Sequence, residues 1–200
     1  MPLPAASPTR QLKHRRAISV NVFSRDDGLW EVDARITDVK TRAINTATGP
    51  RAAGEPIHDL LLRLVVDTQF NILEAGAESL ATPYPGHCDQ HGDAYGRLAG
   101  LNLMQGFKRA LRERLGGVRG CTHLTELGDV LPTAVVQSFA GEVLDTHGQG
   151  DEPPFQLDRC HALVTDGEVV RLHYPRWFRQ ATADETAAKL RAGPAGSISR

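Results

Sequence analysis

Two runs of alternating apolar and polar residues, separated by a short turn, constrain the fold of this chain more than any other feature. In the first, over residues 18–23, Ile18, Val20 and Val22 alternate with polar residues, and the second covers residues 30–37. The Asp-Asp-Gly sequence between them is typical of a hairpin turn. Because a period of two places alternate side chains on opposite faces of a strand, we predict a β-hairpin with one face toward the core and one toward solvent.

The segments that follow predict two further strands and then helices. Residues 60–66 are almost continuously apolar, which is typical of a well-covered strand, and residues 70–77 are expected to form the returning strand. Apolar residues spaced by three, four or seven over residues 98–115 predict an amphipathic helix. A second helix is expected to begin with Thr122 as its N-cap and to be kinked or interrupted at Pro132.

The last recognisable pattern is a second Asp-Gly turn between residues 160–164 and 169–173, which predicts a C-terminal β-hairpin. Strands come first, helices next and a hairpin last, which is the order of an α+β fold rather than of a parallel βαβ fold. We therefore expect an antiparallel sheet, made of the N-terminal hairpin and the central strands, packed by two or three helices. The 200 residues suffice for a single α+β domain, expected over residues 16–180, with a disordered N-terminal tail at 1–15 and a C-terminal tail at 181–200.

The charge balance argues against two classes of partner. Lys and Arg number 23 and Asp and Glu number 24, so the formal net charge is -1. This near-neutral balance offers no electrostatic basis for binding nucleic acid or an anionic membrane. No apolar run approaches the roughly 20 residues of a membrane-spanning helix. The N-terminus also lacks the apolar segment of a secretory signal, so a cytoplasmic location is expected.

Thiols and imidazoles are the remaining candidates for chemistry, because the chain lacks nucleotide-binding loops and the common hydrolase motifs. Cys121 is expected at the N-terminus of the second helix, where the helix dipole favours the thiolate, with His123 beside it. Cys88 lies in a Pro- and Gly-rich loop, and His58 and Asp59 directly precede the apolar strand. We predict these five residues as ligands of Zn or Fe. The alternative is that the cysteines are inert residues in or near the core.

Two charged residues at the first hairpin have two interpretations. Arg25 and Glu31 are expected on the polar side of the hairpin, which is ordinarily solvated in an antiparallel sheet. The alternative is that they are catalytic residues in the same cavity as the metal. Arg25 would then bind an anionic group of a small-molecule substrate, and Glu31 would act as an acid or base.

Four short segments resemble a bacterial family known as domain of unknown function 2889. They are residues 27–31, 56–59, 83–88 and 120–127, of which the Gly-Cys-Thr-His-Leu sequence in the last is the most specific. The resemblance extends over residues 16–137. It implies a family without an assigned activity, and so it gives no function.

The order of several residues is also similar to that in the U-type iron–sulfur scaffold proteins. Their acidic residue before a strand, their first cysteine and their helix-opening cysteine correspond to Asp59, Cys88 and Cys121. The resemblance implies that these three residues bind Zn²⁺ or a nascent iron–sulfur cluster. Ile57 and Gly120 stand where the scaffolds have a cysteine and a histidine, and iron–sulfur clusters require mostly cysteine. A single Zn²⁺ or Fe²⁺ with an open position fits the remaining residue types better.

Three functions are compatible with the sequence. The first is a mononuclear metal protein, in its fullest form a metal-dependent enzyme acting on a small organic substrate. The second is a sulfur or iron–sulfur carrier in which Cys121 is the acceptor thiolate. The third is a non-catalytic binding module with inert, buried cysteines. The sequence defines neither the reaction nor the oligomeric state.

Overall fold

The computed structural model describes Leu3 and residues 9–182, and the C-terminal tail and most of the N-terminal tail lie outside the described residues. The chain divides into two compact units, Met1–Ser138 and Phe139–Arg200. The elements up to the end of the longest helix are β1 (His14–Ser24), β2 (Trp30–Lys40), β3 (Ile44–Thr46), β4 (Gly49–Arg51), β5 (Pro56–Val66), β6 (Ile72–Ala81), a 3₁₀ helix (Cys88–Leu98), α1 (Phe107–Leu115), a 3₁₀ turn (Gly117–Arg119) and α2 (Thr122–Phe139).

The predicted N-terminal hairpin and the α+β class are confirmed. The strands β1, β2, β5 and β6 form an antiparallel sheet in that spatial order. Ile18 lies opposite Ile36 in the register of β1 and β2. At the turn, Gly28 has a φ of 79°, a conformation that glycine adopts without a steric penalty. The connection between β2 and β5 contains a separate two-stranded ribbon, β3–β4.

One face of the sheet contributes to the core of the first unit. The inward residues of β2 and β5 are buried apolar side chains: Val32, Ala34, Ile36, Leu60, Leu62 and Leu64. The buried residues of α1 and α2 follow helical spacing: Leu111, Leu115, Leu124, Leu127, Leu131 and Val135. Each such side chain contributes about 1.5–3 kcal/mol to the free energy of folding.

The opposite face of the sheet is polar, as the alternation in β2 predicts. It carries a groove of about 540 Å³. At this face Arg63 donates two hydrogen bonds to Asp33, from Nε at 2.6 Å and from Nη2 at 2.7 Å. The charged residues that line the groove are Arg25, Glu31, Asp33, Arg63, Glu74 and Glu78.

The helix predicted over residues 98–115 is replaced by two elements. The 3₁₀ helix ends at Leu98, and α1 begins only at Phe107. Between them, Gly100 and Gly106 have φ values of 80° and 66°, which an α-helix does not accommodate. Of the residues that carried the spacing, Leu98, Leu111 and Leu115 are buried, whereas Met104 is exposed. The two glycines divide the segment between them.

The second helix differs from its prediction at its N-cap, and it is not interrupted at Pro132. Thr125 N donates to Cys121 O at 2.9 Å, so Cys121 rather than Thr122 holds the N-cap position. The helix continues through Pro132 to Phe139 without a break. Leu131 is fully buried beside the proline, and this packing offsets the hydrogen bond that proline cannot donate.

The second unit contains α3 (Glu168–His173) and a 3₁₀ turn (Pro175–Trp177). The predicted C-terminal hairpin is not formed, because α3 occupies its second arm. Arg171 Nε donates to Glu168 Oε2 at 2.8 Å, an i,i+3 pair that stabilises a helix. Across the predicted first arm, Thr165 N donates to Asp158 Oδ1 at 2.8 Å, which joins the residues on either side of it in a turn. Within residues 9–182, no helix combines the length and the apolar character needed to span a membrane.

Candidate metal centre

Asp38 is a carboxylate on the apolar side of β2. It follows Val32, Ala34 and Ile36 at the inward positions of the strand, and it is 2% exposed. A β-bulge in the pairing with β5 comes directly after it. Arg16 Nε donates to Asp38 Oδ1 at 2.9 Å, and Arg16 Nη2 donates to Asp38 Oδ2 at 2.7 Å. Both oxygens of the buried carboxylate are therefore hydrogen-bonded, which offsets the loss of water.

Three histidines surround this carboxylate. His58 lies opposite Asp38 in the β2–β5 register, and its Nδ1 is 3.1 Å from Asp38 Oδ2. His123, in the first turn of α2, has its Nε2 3.7 Å from the same oxygen. The rings of His58 and His123 lie with their centroids 3.8 Å apart and their planes at 33°. His14 Nε2 lies 2.9 Å from Asp38 Oδ1.

The environment favours neutral imidazoles beside an ionised carboxylate. Burial lowers the pKa of His58, and the charge of His123 lowers it further, so that the attraction of Asp38 is outweighed. Burial and the charge of Arg16 likewise hold the pKa of His123 below its ordinary value. Burial raises the pKa of Asp38, but the hydrogen bonds and charge of Arg16, with the two neighbouring histidines, bring it below its ordinary value. Near neutral pH, His58 and His123 are therefore neutral imidazoles beside an ionised Asp38.

The geometry of Asp38, His58 and His123 is compatible with a metal ion. One donor atom from each lies within 4.8 Å of the other two. A tetrahedral ion with bonds of about 2.0–2.1 Å places its ligand atoms about 3.3 Å apart. The distances of 3.1 and 3.7 Å from Asp38 Oδ2 to the two imidazole nitrogens lie on either side of that value.

Cys121 lies beside this group rather than in it. Its Sγ is 3.9 Å from His123 Nδ1, whereas the other ring nitrogen of His123 points to Asp38. The Tyr95 hydroxyl accepts a hydrogen bond from Cys121 N at 3.0 Å and donates one to Cys121 O at 2.9 Å. Tyr95 thus fixes the backbone from which α2 begins, and with it the position of His123.

The other predicted ligands lie elsewhere. Asp59 follows His58 in β5, so its side chain is on the opposite face of the sheet, where Arg35 Nε donates to it at 2.7 Å. Cys88 begins the 3₁₀ helix. Within the described part of the chain, no group of three His, Cys, Asp or Glu donors at metal-binding distances includes Asp59, Cys88 or Cys121. The structure therefore brings together His58 and His123 from the predicted set of ligands.

Arg25 and Glu31 lie on the polar face of the sheet. Arg25 Nη1 is 3.8 Å from Glu31 Oε2, and Arg25 Nη2 donates to Asp27 Oδ2 at 2.6 Å. Both residues line the groove on that face. Glu31 and Asp38 are an odd number of residues apart in β2, so the groove and the group around Asp38 lie on opposite sides of the sheet.

Sequence reasoning did not single out Asp38, Arg16 or His14. A signal for Asp38 was present, because a carboxylate at an inward position of an alternating strand needs a buried partner. Arg16 and His14 share the parity of Ile18 in β1, which places them on the same face. The pairing of β1, β2 and β5 that brings them together is not visible in a single sequence.

Fold and site together define an α+β protein with a carboxylate–imidazole group at one end of its buried sheet face. The family model described as "Protein of unknown function (DUF2889)" matches residues 14–137. The chain belongs to this family, and the match includes every residue of the group around Asp38. No curated protein and no solved structure matches the chain.

Proposed function

We propose that this protein binds one Zn²⁺ or Fe²⁺ ion through Asp38, His58 and His123. The observation that carries the proposal is the convergence of a buried carboxylate and two imidazoles from β2, β5 and α2 at metal-binding distances. Two histidines and one carboxylate are a ligand set of both catalytic zinc sites and non-haem Fe(II) sites, which keep coordination positions open.

Charge supports a cation at this position. The lowered pKa values of His58 and His123 leave both rings neutral near neutral pH, so each ring needs only the appropriate tautomer, and no net loss of a proton, to present a lone pair to an ion. Arg16 opposes a cation because its guanidinium already neutralises Asp38. Glu126 Oε2 accepts a hydrogen bond from Arg16 Nη1 at 2.6 Å and restores a negative balance.

The function proposed for the metal-loaded protein is that of an enzyme acting on a small organic substrate. A bound ion with an open position activates water or polarises a substrate oxygen. His14 lies at hydrogen-bonding distance from Asp38, and its side chain is 36% exposed. It is therefore placed to exchange a proton with a substrate or with solvent. Arg25 and Glu31 line the groove on the other face, so the catalytic role proposed for them concerns a ligand in that groove.

Titration of the metal-free protein with Co²⁺ tests the ligands. We expect about one equivalent to bind with visible absorbance, and Asp38→Asn to weaken binding more than about tenfold, since loss of a residue that merely orients a ligand already has an effect of about 10–100-fold. The matched control is Asp59→Asn, the same substitution on the opposite face, which we expect to leave affinity unchanged.

Two results would contradict this assignment. The first is an equal loss of affinity in Asp38→Asn and Asp59→Asn. The second is intense sulfur-to-metal absorbance, after anaerobic addition of iron and a sulfide source, that disappears in Cys121→Ser. That result would favour the sulfur or iron–sulfur carrier instead.

A further inference from the structure

Arg16 connects the buried group to the protein surface. Its Nε and Nη2 donate to Asp38, while its Nη1 donates to Glu126 Oε2 at 2.6 Å. The Asp38 side chain is 3% exposed, whereas those of Arg16 and Glu126 are 36% and 41% exposed. The Nε–Nη2 edge of the guanidinium therefore contacts the buried carboxylate of Asp38, and Nη1 contacts the solvent-accessible carboxylate of Glu126.

Glu126 also borders a recess beside the first turns of α2. The recess has a volume of about 810 Å³, which is in the range of sites for small organic molecules. Thr122, Thr125 and Asp129 line it from α2. Arg112 and Arg119 line it from the preceding segment, and Arg112 Nη2 donates to Asp129 Oδ2 at 3.1 Å. Glu126 therefore both lines the recess and accepts a hydrogen bond from Arg16.

A divalent ion would reverse the charge of the group. Asp38 and Glu126 carry two negative charges and Arg16 carries one positive charge, so one negative charge remains when the histidines are neutral. Adding two positive charges leaves a net positive charge of one with Glu126 in place, and of two once Glu126 has left Arg16. An anion is attracted in either state, and a carboxylate offers two oxygens, one for the open position of the ion and one for a guanidinium edge.

We infer that the metal-loaded site binds the carboxylate group of a small organic anion. The carboxylate replaces Glu126 on Nη1 of Arg16, and the remainder of the molecule occupies the recess. In the absence of the anion, Glu126 thus occupies its place on Arg16 and holds the guanidinium in position. This inference rests on the metal site proposed above and adds the chemical class of its substrate.

Binding of acetate to the Co²⁺-loaded protein, followed by its visible absorbance, tests the inference. We expect acetate to bind and its neutral counterpart acetamide to bind more weakly. Glu126→Gln removes a competing exposed ion pair, so it should tighten acetate binding by about two- to fivefold. The matched control is Glu113→Gln, which removes an exposed glutamate of α1 that lies 3.7 Å from Arg109 and outside the recess. It should leave acetate affinity unchanged.

The outcomes are separable. Equal binding of acetate and acetamide, or equal effects of Glu126→Gln and Glu113→Gln, would overturn the carboxylate assignment while leaving the metal site intact. Failure of the unaltered protein to bind Co²⁺ would overturn the metal site itself, and the carboxylate assignment with it.

Discussion

Asp38 is a carboxylate at a position where the alternation of β2 otherwise places apolar side chains. It remains buried and ionised because Arg16 donates to both of its oxygens and because His14 and His58 lie within 3.1 Å of it. A buried, fully bonded carboxylate rigidifies the imidazoles around it. The group of imidazoles around Asp38 therefore depends on the position of this one residue on the inward face of β2.

The lowered pKa values of the histidines predict a pH dependence of stability in the metal-free protein. Below about pH 6.5 the unfolded chain protonates its histidines, while folded His58 and His123 resist protonation. The free energy of unfolding should therefore fall as the pH decreases from about 6.5 toward the lowered pKa values. Urea denaturation at a series of pH values measures this slope.

His58→Ala should reduce that slope, and His87→Ala, which removes an exposed histidine of the loop before the 3₁₀ helix, should leave it unchanged. The same slope in all three proteins would show that the group around Asp38 does not control the pH dependence.

At the scale of elements, the local periodicities predicted most of the fold and the pairing of strands determined the site. Residues 18–23 and 30–37 alternate so regularly that the hairpin followed from them. By contrast, Gly100 and Gly106 divided the expected first helix, and residues 168–173, expected as a strand, form α3, in which Glu168 pairs with Arg171. His58 and His123 were recognisable by type. Asp59 was predicted from its place before the apolar strand and from the scaffold resemblance, whereas Asp38, at the inward position opposite His58, was not considered.

The core face of α2 holds His123 in place, so a cavity there should destabilise the first unit. Leu127 is fully buried one turn after His123. Leu127→Ala should lower the free energy of unfolding by about 2–5 kcal/mol. Chemical denaturation measures the change, and Val118→Ala, at a fully exposed position, should change it by less than about 0.5 kcal/mol. Similar effects of the two substitutions would contradict the described packing of α2.

At the scale of the molecule, the sheet separates two sets of charged residues. The group around Asp38 lies on the buried face, and the groove with Arg25 and Glu31 lies on the polar face. A cavity joining Arg25 and Glu31 to the predicted ligand His58 would have required side chains on opposite faces of the sheet to point the same way. Both features lie in the first unit, within the residues that the family model matches.

This separation predicts that the two faces act independently in metal binding. Arg25→Gln and Glu31→Gln should each leave the Co²⁺ affinity within about twofold of the unaltered protein, since charges on opposite faces of a sheet are largely screened at physiological salt. Titration at that ionic strength measures the affinity. A tenfold loss in either variant would place these side chains at the metal and contradict the division into two faces.

The most direct test of the central claim is the metal content of protein purified without a metal-affinity tag. We predict about one equivalent of Zn or Fe, both in the unaltered chain and in a chain with Cys88, Cys121 and Cys160 replaced by alanine, because a site of two histidines and one carboxylate needs no thiolate. Replacing His58 and His123 by alanine should remove the metal. A chain that loses its metal with the cysteines, or an unaltered chain that contains none, would contradict the assignment of Asp38, His58 and His123.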